Sequence, residues 1–361
     1  SKMKKYILPF FMLFGGFVSA QIDTSASTFT ISGYAEVYYA YDFSQPDDHN
    51  RPSFLYSHNR HNEFNLNLGF VKGSYNSDRF RGNLALAAGT YMNANYAAEP
   101  GVLKNVFEAN AGYKLSKKSN LWLDGGIFAS HIGFESAISK DCSVLTRSIL
   151  AENSPYYESG AKLTYVTDNG KWLLSGLLLN GWQHIQRPEG NNSAAFGTQI
   201  TFTPNSKVTL NYSTFIGNDK PDEVKQMRYF HNLYGIIHLS DQFHITAGFD
   251  YGMEQTAPES DDFNNWYSPV LILKYDLNDT WSVAGRFENY TDENGVIIAT
   301  GTENGFKTTG FSLNLDCRIR TNAVWRIEGR ILNSEDNIFN DADGAPTNAN
   351  TAVTTSLAIS F

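Results

Sequence analysis

Residues 121–160 read LWLDGGIFASHIGFESAISKDCSVLTRSILAENSPYYESG, and this stretch decides how the chain is interpreted. Apolar and polar residues alternate at its start, with Leu121 and Leu123 on one face and Trp122 and Asp124 on the other, which predicts a strand with one apolar face. The alternation stops after residue 130 and resumes near Tyr156. An insert of this length, 131–154, is uncommon in a compact domain and is typical of a functional loop. If the other segments form a transmembrane barrel, we expect the insert to fold back into the bore and narrow it.

The composition favours a chain of strands. Aromatic residues make up 14% of the chain, which has 20 Tyr, whereas charged residues make up only 18%. Such a profile is rich in strand formers, and no helical amphipathic run of useful length is present. The net charge of −9 and the lack of a basic stripe argue against nucleic acid as a partner.

The first 20 residues predict a signal peptide. Lys4 and Lys5 precede an apolar run over residues 6–18, and Val18-Ser19-Ala20 supplies small residues for cleavage before Gln21. A membrane-spanning helix is the alternative, but it needs about 20 apolar residues, and this run is shorter and interrupted. We therefore expect an exported mature chain, 21–361. Because no later run is apolar for as many as 18 residues, we expect the mature chain to cross a membrane, if it does, as strands.

From residue 29 onward, segments of about 11 to 14 residues alternate apolar and polar side chains. The breaks between them alternate between tight turns and long polar loops, with seven turns and eight loops. This pattern predicts an all-β fold: a 16-stranded antiparallel up-and-down transmembrane β-barrel with short periplasmic turns and long external loops. A soluble β-sandwich would not separate short from long connections so regularly. The terminal residue, Phe361, matches the aromatic ending that barrel-assembly machinery reads, which makes that machinery an expected partner.

Several segments together resemble one known family. They are GYAEVYYAYD (33–42), LWLDGGIFASHIGFESAIS (121–139), SILAENSPYYESG (148–160), LLNGWQ (178–183) and YGIIHLSDQ (234–242). The chain is similar over essentially its whole mature length to the putative β-barrel porin-2 family, the OmpL-like porins of Bacteroidota-type outer membranes. The resemblance implies an outer-membrane pore of undetermined solute, and it carries over no catalytic residues.

The polar face of the strands, if it lines a lumen, carries charges of both signs in near balance. Opposed acidic and basic walls set ion preference in water-filled barrels. Each charge on its own has a simpler interpretation as a wall ion pair worth about 0–1 kcal/mol. We expect a basic ladder of Arg286, Arg318, Arg326 and Arg330, with Glu328, to face the acidic residues of the insert. The predicted pore-lining and constriction residues are Glu36, Arg81, Asp124, Glu135, Asp141, Arg147, Glu152, Arg286, Arg318, Arg326, Glu328 and Arg330.

The function predicted from these observations is passive diffusion of small hydrophilic solutes or ions across the outer membrane of a Gram-negative cell. The expected partners are the outer-membrane lipid around the barrel and, in a homotrimer, further copies of the chain. The alternative is a barrel plugged by its loops that serves as a structural or docking subunit of a larger assembly. A plugged interior would contain more close-packing apolar residues than the charged face suggests, so the pore is favoured. No cofactor is implied, and no grouping of nucleophile, base and acid predicts an enzyme. His49, His58 and His61 share one loop but lack metal-ligand spacing, so we expect them to be solvated.

Overall fold

The structure is a computed structural model and describes residues 26–361. Sixteen antiparallel strands close into one barrel, and two further short strands form a hairpin in the last external loop. The barrel strands are β1 (Thr28–Asp42), β2 (Phe64–Asn76), β3 (Phe80–Ala88), β4 (Val106–Lys114), β5 (Asn120–Ala129), β6 (Tyr157–Val166), β7 (Trp172–Leu179), β8 (Ala195–Asn205), β9 (Val208–Asn218), β10 (Met227–His238), β11 (Phe243–Gln255), β12 (Phe263–Asp276), β13 (Trp281–Asp292), β14 (Phe306–Arg320), β15 (Ala323–Ser334) and β18 (Ala349–Ser360); the hairpin is β16 (Phe339–Asn340) and β17 (Pro346–Thr347).

Helical structure is confined to the connections. Two short helices, α1 (Thr90–Asn95) and α2 (Ile149–Glu152), lie in the second external loop and in the insert. Single 3₁₀ turns cover Gly101–Asn105, Ser139–Asp141 and Asp222–Val224. Within residues 26–361, no helix has the length and hydropathy needed to cross a lipid bilayer.

Each barrel strand pairs with the barrel strands that precede and follow it in the sequence, so β15 pairs with β18, and β1 pairs with β18 to close the barrel. Phe361 completes this closure because its backbone N–H donates to the Gly33 carbonyl at 3.0 Å and its carbonyl accepts from the Gly33 N–H at 2.7 Å. Gly33 also makes room for the terminal ring, since a Cβ atom built there would lie 2.2 Å from the Phe361 side chain. The predicted fold class is confirmed, including the number of strands and the alternation of short turns with long loops.

Side chains on each strand divide between the two surfaces of the wall. On β1, Ile31 is 71% exposed and Val37 52% exposed, whereas Glu36 and Tyr38 are buried inside. The same division continues around the barrel, so the outer surface is an apolar band that suits acyl chains. Aromatic pairs lie at the strand ends on this surface, for example Trp172 stacked on Phe202 with ring centroids 4.2 Å apart. These pairs have the composition expected of an interfacial girdle.

The predicted signal peptide, 1–20, lies outside the described residues. Cys142 and Cys317 are both free.

Candidate functional site

The insert between β5 and β6 lies inside the barrel. Most of residues 142–154 are buried, and Arg147, Ser148 and Ile149 have no exposed surface. Ser148 begins α2 because its hydroxyl accepts a hydrogen bond from the Ala151 N–H at 3.1 Å. The helix then ends at Asn153, whose side-chain amide donates to the Ile149 carbonyl at 2.9 Å. These two hydrogen bonds lie within the insert and define its local conformation.

Acidic and amide side chains of the wall hold the backbone of the insert. Glu328 on β15 accepts from both the N–H and the hydroxyl of Thr146, each at 2.7 Å. Glu288 on β13 accepts from the Ile149 N–H at 2.8 Å. The first N–H groups of any helix have no partner within that helix. In α2, a wall carboxylate accepts a hydrogen bond from one of these groups. The insert is thus bound to one part of the wall through charge-assisted hydrogen bonds.

Arginines of the same wall neutralise these carboxylates. Arg286 lies 3.2 Å from Glu328 and also donates to the Thr146 carbonyl at 2.8 Å. Arg330 lies 2.6 Å from Glu288. Glu288 and Glu328 have side chains only 1% exposed, and Arg286 has none of its side chain exposed. Removing one partner from a buried ion pair typically costs about 3–5 kcal/mol, because the other charge is left without a partner. The pairs therefore hold Glu288 and Glu328 in position to accept hydrogen bonds from the insert.

Arg326 and Glu36 hold residues 139–142 of the insert. Arg326 pairs with Asp316 at 2.6 Å and donates to the carbonyls of Ser139 and Cys142, the latter at 2.9 Å. The Ser139 hydroxyl donates in turn to Glu36 on β1. These contacts extend the attachment across β1, β13, β14 and β15, and we call this region the anchoring wall.

The first external loop binds the insert from the other side. Both Tyr56 and Ser57 donate their N–H groups to Glu152, the former at 2.6 Å. Burial raises the pKa of Glu152 to about 7. His58 contacts Glu36 at 2.9 Å through its Nε2 atom. His58 and His61 are buried, so the expectation that the loop histidines are solvated is wrong for these two, because the loop folds into the barrel mouth.

Arg147 and Glu135 form the least satisfied part of the insert. Arg147 is completely buried, yet only one of its nitrogens donates, to the Val144 carbonyl at 3.4 Å, and Nε and Nη2 lack a hydrogen-bond partner. Glu135 accepts from the Ser148 N–H at 2.9 Å, and burial raises its pKa. One oxygen of Glu135 is also without a partner.

The part of the wall next to β1, from β2 to β6, carries ion pairs that stay partly exposed. Arg81 contacts Asp124 at 2.5 Å, and the Arg81 side chain is 33% exposed. Lys72 pairs with Glu108, and their side chains are 27% and 16% exposed. Lys162 lies over the Phe128 ring at 4.6 Å. We call this part of the wall, on β2 to β6, the polar wall. Lys72 was not among the predicted pore-lining residues, although it has the period-two spacing of an inward-facing residue.

Two predicted residues lie away from the anchoring contacts. Arg318 is exposed at the periplasmic end of β14, where it donates to the Asp279 carbonyl at 3.3 Å. Asp141 is exposed and contacts Lys140 at 3.3 Å. The structure therefore brings together Glu36, Glu135, Arg147, Glu152, Arg286, Arg326, Glu328 and Arg330 around the insert, and places Arg81 and Asp124 on β3 and β5 of the polar wall. Arg318 does not join the ladder of charges.

Apolar side chains fill much of the external half of the barrel. One cluster joins inward residues near the strand ends, such as Phe215 and Trp266, to loop residues such as Phe54 and Phe339. A second cluster surrounds α1 and includes Tyr91 and Tyr156. This packing differs from the expectation of a mainly charged interior, because the loops supply apolar residues that strand alternation does not reveal.

Cavities lie at both ends of the barrel and inside it. A cavity of about 700 Å³, the outer vestibule, opens between the first, seventh and eighth external loops. One of about 360 Å³, the periplasmic vestibule, lies beside the turns that follow β12 and β14. A third, of about 230 Å³, lies between the insert and the polar wall. No group of three or more metal-ligating side chains was found within residues 26–361.

Comparisons with known proteins agree with this architecture. The sequence model of the family described as "Putative beta-barrel porin-2, OmpL-like" matches residues 28–361. No match was found among curated proteins.

Solved structures with a similar fold include the anion-selective porin from Comamonas acidovorans, which is 8% identical with a TM-score of 0.61, covering 93% of this chain and 100% of that one. OmpT of Vibrio cholerae in its trimer form is 11% identical, with a TM-score of 0.61 and coverage of 93% and 100%. OmpF of Salmonella typhi in complex with daunomycin is 10% identical, with a TM-score of 0.59 and coverage of 92% and 97%. At these identities the likeness is one of fold.

Proposed function

Because the chain belongs to the family described as "Putative beta-barrel porin-2, OmpL-like", it is an outer-membrane porin, and we propose that small hydrophilic solutes or ions pass between its insert and its polar wall. The observation that carries this proposal is the difference between the two walls. The charges of the anchoring wall that hold the insert are buried, whereas Lys72, Arg81 and Glu108 on the polar wall remain partly exposed. Hydrated charges of both signs suit a route for polar solutes.

The insert sets the width of this route. Its middle is attached to β1, β13, β14 and β15 and its start to β9 and β10, which leaves a cavity between the insert and β2 and β4. Glu135, Arg147 and Glu152 on the insert then act mainly by holding its conformation, since they are enclosed by it and by the first loop. Solutes are discriminated by the residues of the polar wall, through size and charge.

Planar-bilayer conductance of the purified protein tests this assignment. Deleting residues 139–146 removes the middle of the insert, and we expect a larger single-channel conductance. Deleting residues 257–261 from the exposed sixth external loop is the control, and we expect the conductance to stay unchanged. Equal conductance of a folded insert-deletion variant and the unmodified barrel would contradict the role of the insert.

Charge variants test which wall carries the solutes. Lys72→Gln on the polar wall should shift the reversal potential in a salt gradient toward cation preference, because it removes a partly exposed positive charge. Lys118→Gln, in a short turn outside the bore, is the matched control. A reversal potential that responds equally to both substitutions would place the route elsewhere.

A second function is favoured by the apolar packing in the external half of the barrel. A barrel closed by its own loops would serve as a structural or docking subunit of an envelope assembly. Folded protein that gives no conductance at any voltage, together with stable copurification of an envelope partner, would favour this function over the pore.

Several further properties belong to the same proposal. We expect no enzymatic activity. Residues 1–20 act as the signal peptide, so amino-terminal sequencing of the mature protein should start at Gln21. Phe361 serves as the contact for barrel-assembly machinery, and its deletion should reduce assembly in cells. A homotrimer is the expected assembly, which light scattering in detergent would detect.

A further inference from the structure

Charge is distributed unequally between the two ends of the barrel. Outside the insert, the external loops contain 17 Asp and Glu against six Lys and Arg, a net charge of −11. The seven short turns contain four acidic and five basic residues, a net charge of +1. The net charge of the whole chain therefore comes from one end of the barrel.

The outer vestibule is lined by this acidic charge. Its charged residues are Asp47, Asp48, Asp341 and Asp343, all exposed, and Arg51. Arg51 is buried and contacts Asp42 at 3.4 Å, so its charge is already neutralised. The exposed charges that line this mouth are therefore all negative.

The periplasmic vestibule has the opposite charge. Lys140, Lys274, Arg318, Arg320 and Arg326 line it with three aspartates, Asp276, Asp279 and Asp316. Two of these aspartates already pair with a base, since Asp316 contacts Arg326 at 2.6 Å and Asp276 contacts both His244 and Lys274. Arg318 and Arg320 are exposed and, within residues 26–361, form no ion pair closer than 4.0 Å. Arg318 and Arg320 outnumber the remaining aspartate, Asp279, so this mouth has a net positive charge.

The insert lies between these two mouths. From this arrangement we propose that the protein rectifies ion flow, and this inference rests on its proposed function as a pore. Cations gather at the acidic outer mouth and anions at the basic periplasmic mouth, because a charged vestibule raises the local concentration of counter-ions. When the external side is positive, both ion types are driven into the bore from the mouths where they are concentrated, and the conductance is high. When the voltage is reversed, both must enter through a mouth of their own charge, and the conductance falls.

Salt screening gives this inference a quantitative signature. The Debye length is about 10 Å at 0.1 M salt and about 3 Å at 1 M, so vestibule charges act across the mouth only in dilute salt. At equal and opposite applied voltages, we expect the external-positive current to exceed the reverse current by about 1.5-fold or more in 0.1 M salt. The ratio should approach one in 1 M salt.

Paired substitutions test which charges are responsible. Arg318→Gln with Arg320→Gln should lower the current ratio, and Lys117→Gln with Lys118→Gln removes the same charge from a short turn outside the vestibule and should leave it unchanged. At the other mouth, Asp341→Asn with Asp343→Asn should lower the ratio. Asp261→Asn with Asp262→Asn, in the sixth loop, is its control.

The experiment records single channels of the full mature barrel in planar bilayers of neutral lipid. A biotin attached through Ala257→Cys in the exposed sixth loop reports orientation, because streptavidin perturbs the current only from the chamber that the external loops face. The inference is supported if the current ratio falls at high salt and in both double variants of the vestibules, but not in the two control variants. Open channels with a symmetric current in 0.1 M salt overturn rectification and leave the pore intact, whereas folded barrels without current overturn the pore itself.

Discussion

Glu328 is the residue whose substitution best separates the anchoring of the insert from the stability of the barrel. It accepts three hydrogen bonds, from the N–H and hydroxyl of Thr146 and from Arg286, and its side chain is 1% exposed. Glu328→Gln removes the negative charge with little change in volume. It leaves Arg286 facing a neutral amide and replaces one acceptor oxygen with a donor.

The magnitude follows from these contacts. The insert is held to Glu328 by two hydrogen bonds from Thr146 to a charged carboxylate, and each such bond contributes about 1.5–3 kcal/mol, of which the neutral amide oxygen keeps a part. The ion pair between the two wall strands is also lost, but Arg286 retains Glu288 at 3.4 Å. We therefore expect the insert to lose about 3 kcal/mol of its attachment, which corresponds to roughly a 100-fold increase in local opening. The barrel strands should keep their stability, because their ladder hydrogen bonds do not involve this side chain.

Hydrogen exchange measures this local opening directly. The amides of Leu145, Thr146 and Ile149 should exchange roughly 100-fold faster in Glu328→Gln than in the unmodified protein. Exchange in β8 and β9, on the far side of the barrel, should not change. Glu335→Gln is the matched control, because Glu335 is 51% exposed and its contact with Lys307 is 3.5 Å long. Surface pairs of this kind contribute about 0–1 kcal/mol.

Unchanged exchange of the insert in Glu328→Gln would refute the anchoring argument. So would equal acceleration in all strands, since that result would mean that Glu328 stabilises the barrel as a whole. The double variant Arg286→Gln with Glu328→Gln gives a further check. If the two groups form one pair, its effect will be smaller than the sum of the two single effects.

Three other predictions concern the first loop, the chain end and the strand before the insert. Burial raises the pKa of Glu152 to about 7 in the folded protein against 4.5 ordinarily, so its contribution to folding stability is greatest below about pH 4.5 and is lost as the pH rises through about 7, when the buried carboxyl must ionise. The Tm should fall from pH 5 to pH 9 by a margin that Glu152→Gln abolishes, and an equal fall in both proteins would contradict this. Deleting Phe361 removes two backbone hydrogen bonds to Gly33, each worth about 0.5–1.5 kcal/mol, and should lower the temperature at which the barrel loses its heat-modifiable mobility in gels; unchanged mobility would count against it. Gly126→Ala should destabilise the barrel by about 1–3 kcal/mol in a denaturation experiment, because φ is 121° there and a Cβ atom would lie 2.2 Å from the Ala109 carbonyl oxygen. Gly176→Ala is the control and should have little effect, because a Cβ atom there would have no atom within 4 Å.

The residues of the anchoring wall illustrate how far sequence reasoning reaches. Period-two alternation predicts that Arg286, Arg326 and Glu328 face inward, and they do. It does not distinguish a charge in water from a charge under a loop, because both positions have the same spacing along the strand. The full burial of Arg286 follows from where Thr146 lies, about 140 residues away in the chain.

The histidines of the first loop give a second example. Their spacing lacks a metal signature, and sequence alone favours exposure to solvent. His58 nevertheless reaches Glu36, and Tyr56 and Ser57 reach Glu152, because the loop turns into the barrel mouth. Loop direction depends on contacts between distant segments, which local patterning does not encode.

The sequence by itself determined the closed barrel of 16 strands, its apolar outer face and its family, because strand alternation and the lengths of turns and loops are local properties. Only the tertiary structure decided which part of the wall the insert binds, which charges are buried and how the loops fill the external half. Those outcomes depend on hydrogen bonds and ion pairs between residues far apart in the chain, whose energies are set by burial rather than by sequence neighbours.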